Sequence, residues 1–163
     1  MKSIKNIKIQ RASKDDAIEI LSLQKLAYLS EAAIIDDFTI PPLRQTEDEI
    51  LSEFDNHIFL KIVIDDKIIG SVRAYHTKDT CYIGKLIVHP DMQNLGIGSE
   101  LLQAIEMSYP DVYRYELFTG NKSERNLHLY NKYGYSLFQS KVISDTLTLV
   151  FLEKLNKKNA TDF

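Results

Sequence analysis

A short apolar strand that runs into a turn with two glycines, and then into an amphipathic helix, constrains this chain more than any other stretch. Within residues 82–107, Leu86, Ile87 and Val88 suit a buried strand, and Pro90 ends it because proline has no N–H to give to a ladder. Ile97, Leu101, Leu102 and Ile105 then recur at i, i+4, i+5 and i+8, a single apolar face at the helical period. Gly96 and Gly98 stand where that helix starts and leave its first N–H groups approachable. Those groups have no partners inside the helix and sit at the positive end of its dipole, so the stretch predicts a bound anion, a phosphate in particular. A P-loop would need a lysine after the second glycine, where Ser99 stands. A dinucleotide fold would need a third glycine near Leu101 and a shorter turn.

The 163 residues, 44% of them hydrophobic, suit one domain with a full core. That domain is expected over 1–155, with 156–163 a frayed tail. A net charge of −3 argues against a broad nucleic-acid footprint. No apolar run approaches the roughly 20 residues that span a bilayer, and the charged residues after Met1 do not make a signal peptide. A cytoplasmic protein without membrane attachment is therefore expected. Cys81 is the only cysteine, which excludes internal disulfides and cysteine-rich metal sites, and no metal is expected.

The patterns predict a first strand over 4–10 and a helix opened by a capping box at Ser13 and Asp16 that ends near Tyr28 or Ser30. Ile18, Leu21, Leu26 and Leu29 are its expected inward residues. From 31 to 45 the pattern loosens: Ala32, Ala33, Ile34 and Ile35 could prolong the helix, but Asp36, Asp37, Pro41 and Pro42 end regularity. A second capping box at Thr46 and Glu49 opens a short helix, and strands follow over 57–64 and 68–76, joined by a tight hairpin at Asp65, Asp66 and Lys67. After the central helix come a strand over 112–119, a helix over 124–132, and strands over 135–139 and 146–153. The result is an α/β chain with a mixed sheet whose first half is antiparallel. Its central crossover makes 82–88 and 112–119 parallel neighbours.

Gln93-Asn94-Leu95-Gly96-Ile97-Gly98 resembles the acyl-CoA pyrophosphate loop of the GNAT superfamily of N-acetyltransferases, Gln/Arg-x-x-Gly-x-Gly/Ala. A second segment, from Asn126 through Tyr130 and Lys132 to Gly134 and Tyr135, resembles that family's Asn-x-x-Leu-Tyr-x-Lys-x-Gly-Phe stretch. The resemblance covers nearly the whole chain. It implies a three-layer sandwich, with helices on both faces of a mostly antiparallel sheet and a parallel strand pair that splays apart.

The resemblance also implies the function: transfer of an acetyl group from acetyl-CoA to a primary amine by direct attack on the thioester. Leu86, Ile87 and Val88 would line the pantetheine arm. Gln93, Asn94, Leu95, Gly96, Ile97, Gly98 and Ser99 would hold the diphosphate, with Asn126 and Tyr130 also at the ligand. A backbone N–H near Val88 is the candidate oxyanion donor, and Tyr130 the proton donor to the leaving thiolate. The strand before the loop lacks the carboxylate the family often places there, so the base stays open between Glu116, Glu31 and His76. Tyr28 and Glu31 are expected to contact the acceptor, an amine-bearing small molecule or a protein amine. Glu31, Asp36 and Asp37 favour a cationic one, although a solvated loop explains the same charges. The apolar stretch 146–152 suits a homodimer contact or burial within one chain. The alternative to an enzyme is a catalytically silent GNAT-like module that binds acyl-CoA and acts through a protein partner.

Overall fold

The computed structural model describes residues 7–156. Ile4, Lys5 and Asn6 of the expected first strand lie outside them, as does all of the expected tail except Asn156. In chain order the elements are β1 (Ile9–Arg11), α1 (Ala17–Ile35), α2 (Pro41–Arg44), α3 (Glu47–Glu53), β2 (Ile58–Ile64), β3 (Lys67–Thr77), β4 (Thr80–Val88), α4 (Ile97–Met107), β5 (Arg114–Gly120), α5 (Glu124–Lys132), β6 (Ser136–Val142) and β7 (Thr148–Leu155). One seven-stranded sheet runs in the order β1-β2-β3-β4-β5-β7-β6. The β4 and β5 strands are its parallel pair, and every other neighbouring pair is antiparallel. The expected mixed sheet is therefore present.

Two apolar clusters cover the two faces of the sheet. Leu101, Leu102 and Ile105 of α4 pack with Ile62, Val72 and Ile83 on one face. Ile20, Leu21 and Leu23 of α1 pack with Ile50, Phe59 and Ile87 on the other. Gly70 lets α4 sit close, since a Cβ there would meet Ile97 and Leu101 side-chain carbons at 3.1 Å.

Local signals account for the turns and caps. Asp65 and Asp66, at φ 51° and 63°, form the two-residue hairpin between β2 and β3, where the strand twist requires positive φ at both positions. At α3 the capping box forms reciprocally, with Glu49 N–H donating to Thr46 Oγ1 at 3.2 Å and Thr46 N–H to Glu49 Oε1 at 2.9 Å.

The structure departs from the sequence expectations at several elements. Helix α1 runs past Ser30 through 32–35, the longer of the two ends the sequence allows, and stops with Asp36 in the left-handed region. It buries Ala17, Ile20, Leu21, Leu23, Gln24 and Ala27, while Ile18, Leu26 and Leu29 are exposed. Apolar residues occur all round this helix, so periodicity alone did not select a face. Pro41 opens a short helix instead of ending order, because its fixed φ suits a first helical position. The last strand reaches Leu155, and Asn156 is anchored by Nδ2 donation to the carbonyls of Pro110 and Val112, both at 2.9 Å. That strand lies inside the sheet between β5 and β6, with Val150 and Leu152 buried, so burial within one chain explains its apolar character. Among the described residues, no helix is long and apolar enough to cross a membrane.

Candidate functional site

The site originates in a fault between two strands. The β4 and β5 strands pair only at Thr80 with Arg114, Cys81 with Tyr115 and Tyr82 with Glu116, and beyond Tyr82 they diverge. On its other side β4 carries a bulge. Ser71 pairs with Ile87 and Arg73 with Gly84, so Val72 faces both Lys85 and Leu86. Side chains along a strand alternate between faces, and one extra residue reverses that alternation. Cys81 and Ile83 accordingly lie in the cluster under α4, whereas Ile87 lies in the cluster under α1. Lys85 occupies the bulge at φ 49°, an uncommon conformation for a residue with a side chain.

Below the bulge, the main chain is aimed at the opening. His89 N–H donates to the Ile69 carbonyl at 2.8 Å, so these two form a hydrogen-bonded pair of the antiparallel ladder. The adjacent pair, Gly70 with Val88, is then the non-bonded kind, which turns the Val88 N–H and C=O away from β3 and into the gap beside β5.

The loop after β4 ends at Gly96, in the left-handed region at φ 84°, and α4 starts with no side chain capping it. A groove of about 390 Å³ runs from Leu86, Ile87 and Val88 past Gln93, Asn94, Gly96, Ile97, Gly98 and Ser99. Leu95 does not line it, because that side chain packs on the core. The opposite wall is α5, which contributes Arg125, Asn126, His128, Leu129 and Lys132. Gly98 permits the contact, since a Cβ there would already touch Leu129 at 3.4 Å. Arg125 donates to Gln93 Oε1 across the groove. The loop lacks cations, and Arg125 and Lys132 supply them from the neighbouring helix. Their spacing with His128 and Leu129, at i, i+3, i+4 and i+7, was the available signal, one face of a short helix.

A second cavity, of about 200 Å³ and mainly apolar, lies between the end of α1, α2, the bulge and the start of β7. Tyr28, Glu31, Leu86 and Asn126 line both the cavity and the groove, so the two spaces meet there. Asn126 is held by Nδ2 donation to Thr119 Oγ1 at 3.2 Å. Glu31 accepts at Oε1 from Ser123 Oγ at 2.9 Å. Tyr130 is buried and lines the cavity. Burial, reinforced by nearby Tyr28 and Glu31, holds its phenol well above the usual tyrosine range, so it is protonated and able to donate at neutral pH. Burial likewise pushes Tyr28 up to about 12, opposed by Arg73 and assisted by Glu31.

Other sequence candidates lie elsewhere. Glu116 lines neither space and pairs with Arg114 at 3.0 Å, so the only described carboxylate shared by groove and cavity is Glu31. His76 stacks obliquely on Tyr109 at 5.5 Å and also lines neither. Asp37 accepts from Thr39 and from Thr146 at 2.7 Å, and neither it nor Asp36 reaches the cavity. Of the three acidic residues of this segment, only Glu31 reaches the site. Cys81 is fully buried, and burial pushes its thiol up to about 12, which leaves it unreactive at neutral pH.

An extended ligand with an anionic group fits a helix end, a groove and a parted strand pair in this order. The model of the Acetyltransferase (GNAT) family matches residues 19–135, and the chain belongs to that family. The PaiA N-acetyltransferase of Thermoplasma acidophilum, solved in complex with coenzyme A, superposes with a TM-score of 0.75 at 16% identity, over 92% of this chain and 99% of that one. YncA of Salmonella typhimurium, solved with its cofactor acetyl-CoA, gives 0.73 at 16% identity, over 93% and 95%. The ribosomal-protein-S18-alanine N-acetyltransferase of Escherichia coli gives 0.76 at 13%, over 91% and 93%. At these identities the likeness concerns the fold. Among curated proteins, the UPF0157 protein YqkA of Bacillus subtilis (strain 168) is 29% identical over 127 residues, 78% of this chain. The chain spans only 36% of that relative's length.

Proposed function

We propose that this chain is an acetyl-CoA-dependent N-acetyltransferase that acts on a primary amine held in the apolar cavity. The observation that carries this reading is the junction at Tyr28, Glu31, Leu86 and Asn126, where a groove suited to a phosphate-bearing arm opens onto an apolar cavity suited to an acceptor. Bound acetyl-CoA supplies an activated thioester carbonyl and a thiolate leaving group. The uncapped first turn of α4, with Arg125 and Lys132 opposite, favours the diphosphate. The Val88 N–H, turned into the strand gap, is suited to donate to the carbonyl oxygen as it gains charge. The acceptor nitrogen forms the new bond to the acetyl carbon while the carbon–sulfur bond breaks. Glu31, directly or through one water, accepts the proton the nitrogen loses. The Tyr130 hydroxyl donates towards the departing sulfur.

The test is acetyl-CoA turnover over a panel of amines, read by thiol release and by the mass of the acetylated product. An acetylated amine with stoichiometric free thiol supports the reading. Tight acetyl-CoA binding without turnover on any amine overturns it and leaves a binding module.

A further inference from the structure

We propose that Lys85 receives a carboxylate on the acceptor, so that the amine this site takes also carries an acid group on an apolar body. The inference rests on the acetyltransferase reading and specifies its substrate class. The bulge places Lys85 on the α1 side of the sheet, beside Arg73 and Glu53, in the wall of the cavity. Gly84 next to it is not needed for packing, since a Cβ there would meet nothing within 4 Å. The residue in the unusual backbone conformation is the lysine, and bulges beside active sites re-aim side chains.

No side-chain hydrogen bond or salt bridge ties the Lys85 ammonium to another described residue. The nearest carboxylate is already engaged. Glu53 Oε2 accepts from Arg73 Nη1 at 2.7 Å, and its Oε1 accepts from Gln45 Nε2 at 2.5 Å. Arg73 spends Nη2 on Gln24 Oε1 at 2.6 Å and stacks over Phe59 at 4.6 Å. Two cations therefore share one carboxylate, and of these three groups Lys85 alone lines the cavity. Burial lowers the pKa of Lys85, with Arg73 adding to the effect and Glu53 opposing it, as expected for a cation that lacks a counter-ion.

The opposite charge, Glu31, lines the same cavity where it meets the groove, and Tyr28 lies in the field of both Arg73 and Glu31. The lining includes Ile34, Ile40, Pro41, Phe118, Leu147 and Leu149. An acceptor with its amine towards Glu31, its acid towards Lys85 and an apolar side chain matches this lining. An apolar amino acid has that chemistry. A polyamine would bring a second ammonium against Lys85.

The test compares matched pairs on the full chain with saturating acetyl-CoA: leucine against isopentylamine, and phenylalanine against phenethylamine, with spermidine as the cationic control. The acids should be acetylated with kcat/KM roughly tenfold or more above their decarboxylated twins, the scale of one charge-assisted contact. Lys85→Met should raise KM for leucine by about the same factor and leave KM for isopentylamine and the affinity for CoA unchanged, with Lys85→Arg restoring part of the loss. Equal or better turnover of the decarboxylated amines overturns the proposal, as does an equal rise in KM for both members of a pair in Lys85→Met. If no amine is acetylated, the acetyltransferase reading falls, and titration of leucine into the CoA-bound protein decides the carboxylate proposal. Binding that Lys85→Met abolishes upholds it, and absent or unaffected binding overturns it.

Discussion

Ser123 donates through Oγ to Oε1 of Glu31 at 2.9 Å, joining residues 92 apart in sequence. This bond ties α1 to the residue that precedes α5 at the place where the groove meets the cavity. It leaves the second carboxylate oxygen of Glu31 available to an acceptor or a water. Glu31→Gln keeps the shape and the Ser123 contact but cannot take a proton. Turnover should fall by about 10²-fold or more. Part of the loss should return as pH rises towards the amine's own pKa, because the acceptor then arrives already neutral. A pH-independent defect, or none, would remove Glu31 from proton transfer.

Tyr130 remains protonated because burial opposes its ionisation. Tyr130→Phe removes only the hydroxyl. We expect kcat to drop by about 10²-fold while acetyl-CoA affinity persists, as read by steady-state kinetics beside calorimetric titration. Unchanged kcat excludes a role for the phenol in departure of the thiolate.

Arg125 and Lys132 replace cations that the loop itself lacks. Each partly solvated contact to a phosphate should be worth about 0.3–1 kcal/mol. Arg125→Ala and Lys132→Ala should therefore each weaken CoA binding by roughly two- to fivefold. The effect should shrink as salt rises, because exposed charges are screened. Titration at low and high ionic strength checks this, and a salt-independent loss would point to a packing defect.

Gly70 is where α4 comes closest to the sheet, with side-chain carbons of Ile97 and Leu101 only 3.1 Å from the place a Cβ would take. Gly70→Ala forces two fully buried side chains to shift and should destabilise the fold by about 1–3 kcal/mol. Because Ile97 opens the helix that carries the anion site, CoA affinity should fall as well. Denaturant midpoints and CoA titration on the same variant measure the two effects.

Hydrogen bonds from Thr39 and Thr146 hold the Asp37 carboxyl below its usual range. A pKa lower in the folded than in the unfolded state means the folded chain binds fewer protons. The stabilisation is complete above about pH 4, the unfolded value, and is lost as pH falls through the folded one. Asp37→Asn should lose less melting temperature between pH 7 and pH 3 than the parent chain. Parallel acid profiles would show that Asp37 contributes nothing to acid sensitivity.

The sequence by itself determined what local chemistry dictates. Proline and glycine placed the ends of β4 and the start of α4, the Asp65 and Asp66 pair gave its hairpin, Thr46 and Glu49 their cap, and Asn126 and Tyr130 a shared helix face. Only the tertiary structure decided which face of α1 is buried, because an apolar sequence on every side leaves that choice to packing. It also decided that Glu31, and not Glu116, stands beside the groove, and that Arg125 and Lys132 line the groove with the start of α4 from another helix. The position of Lys85 depends on a bulge against β3, and strand register is a long-range property: one extra residue reverses the face of everything after it without leaving a pattern in the local sequence.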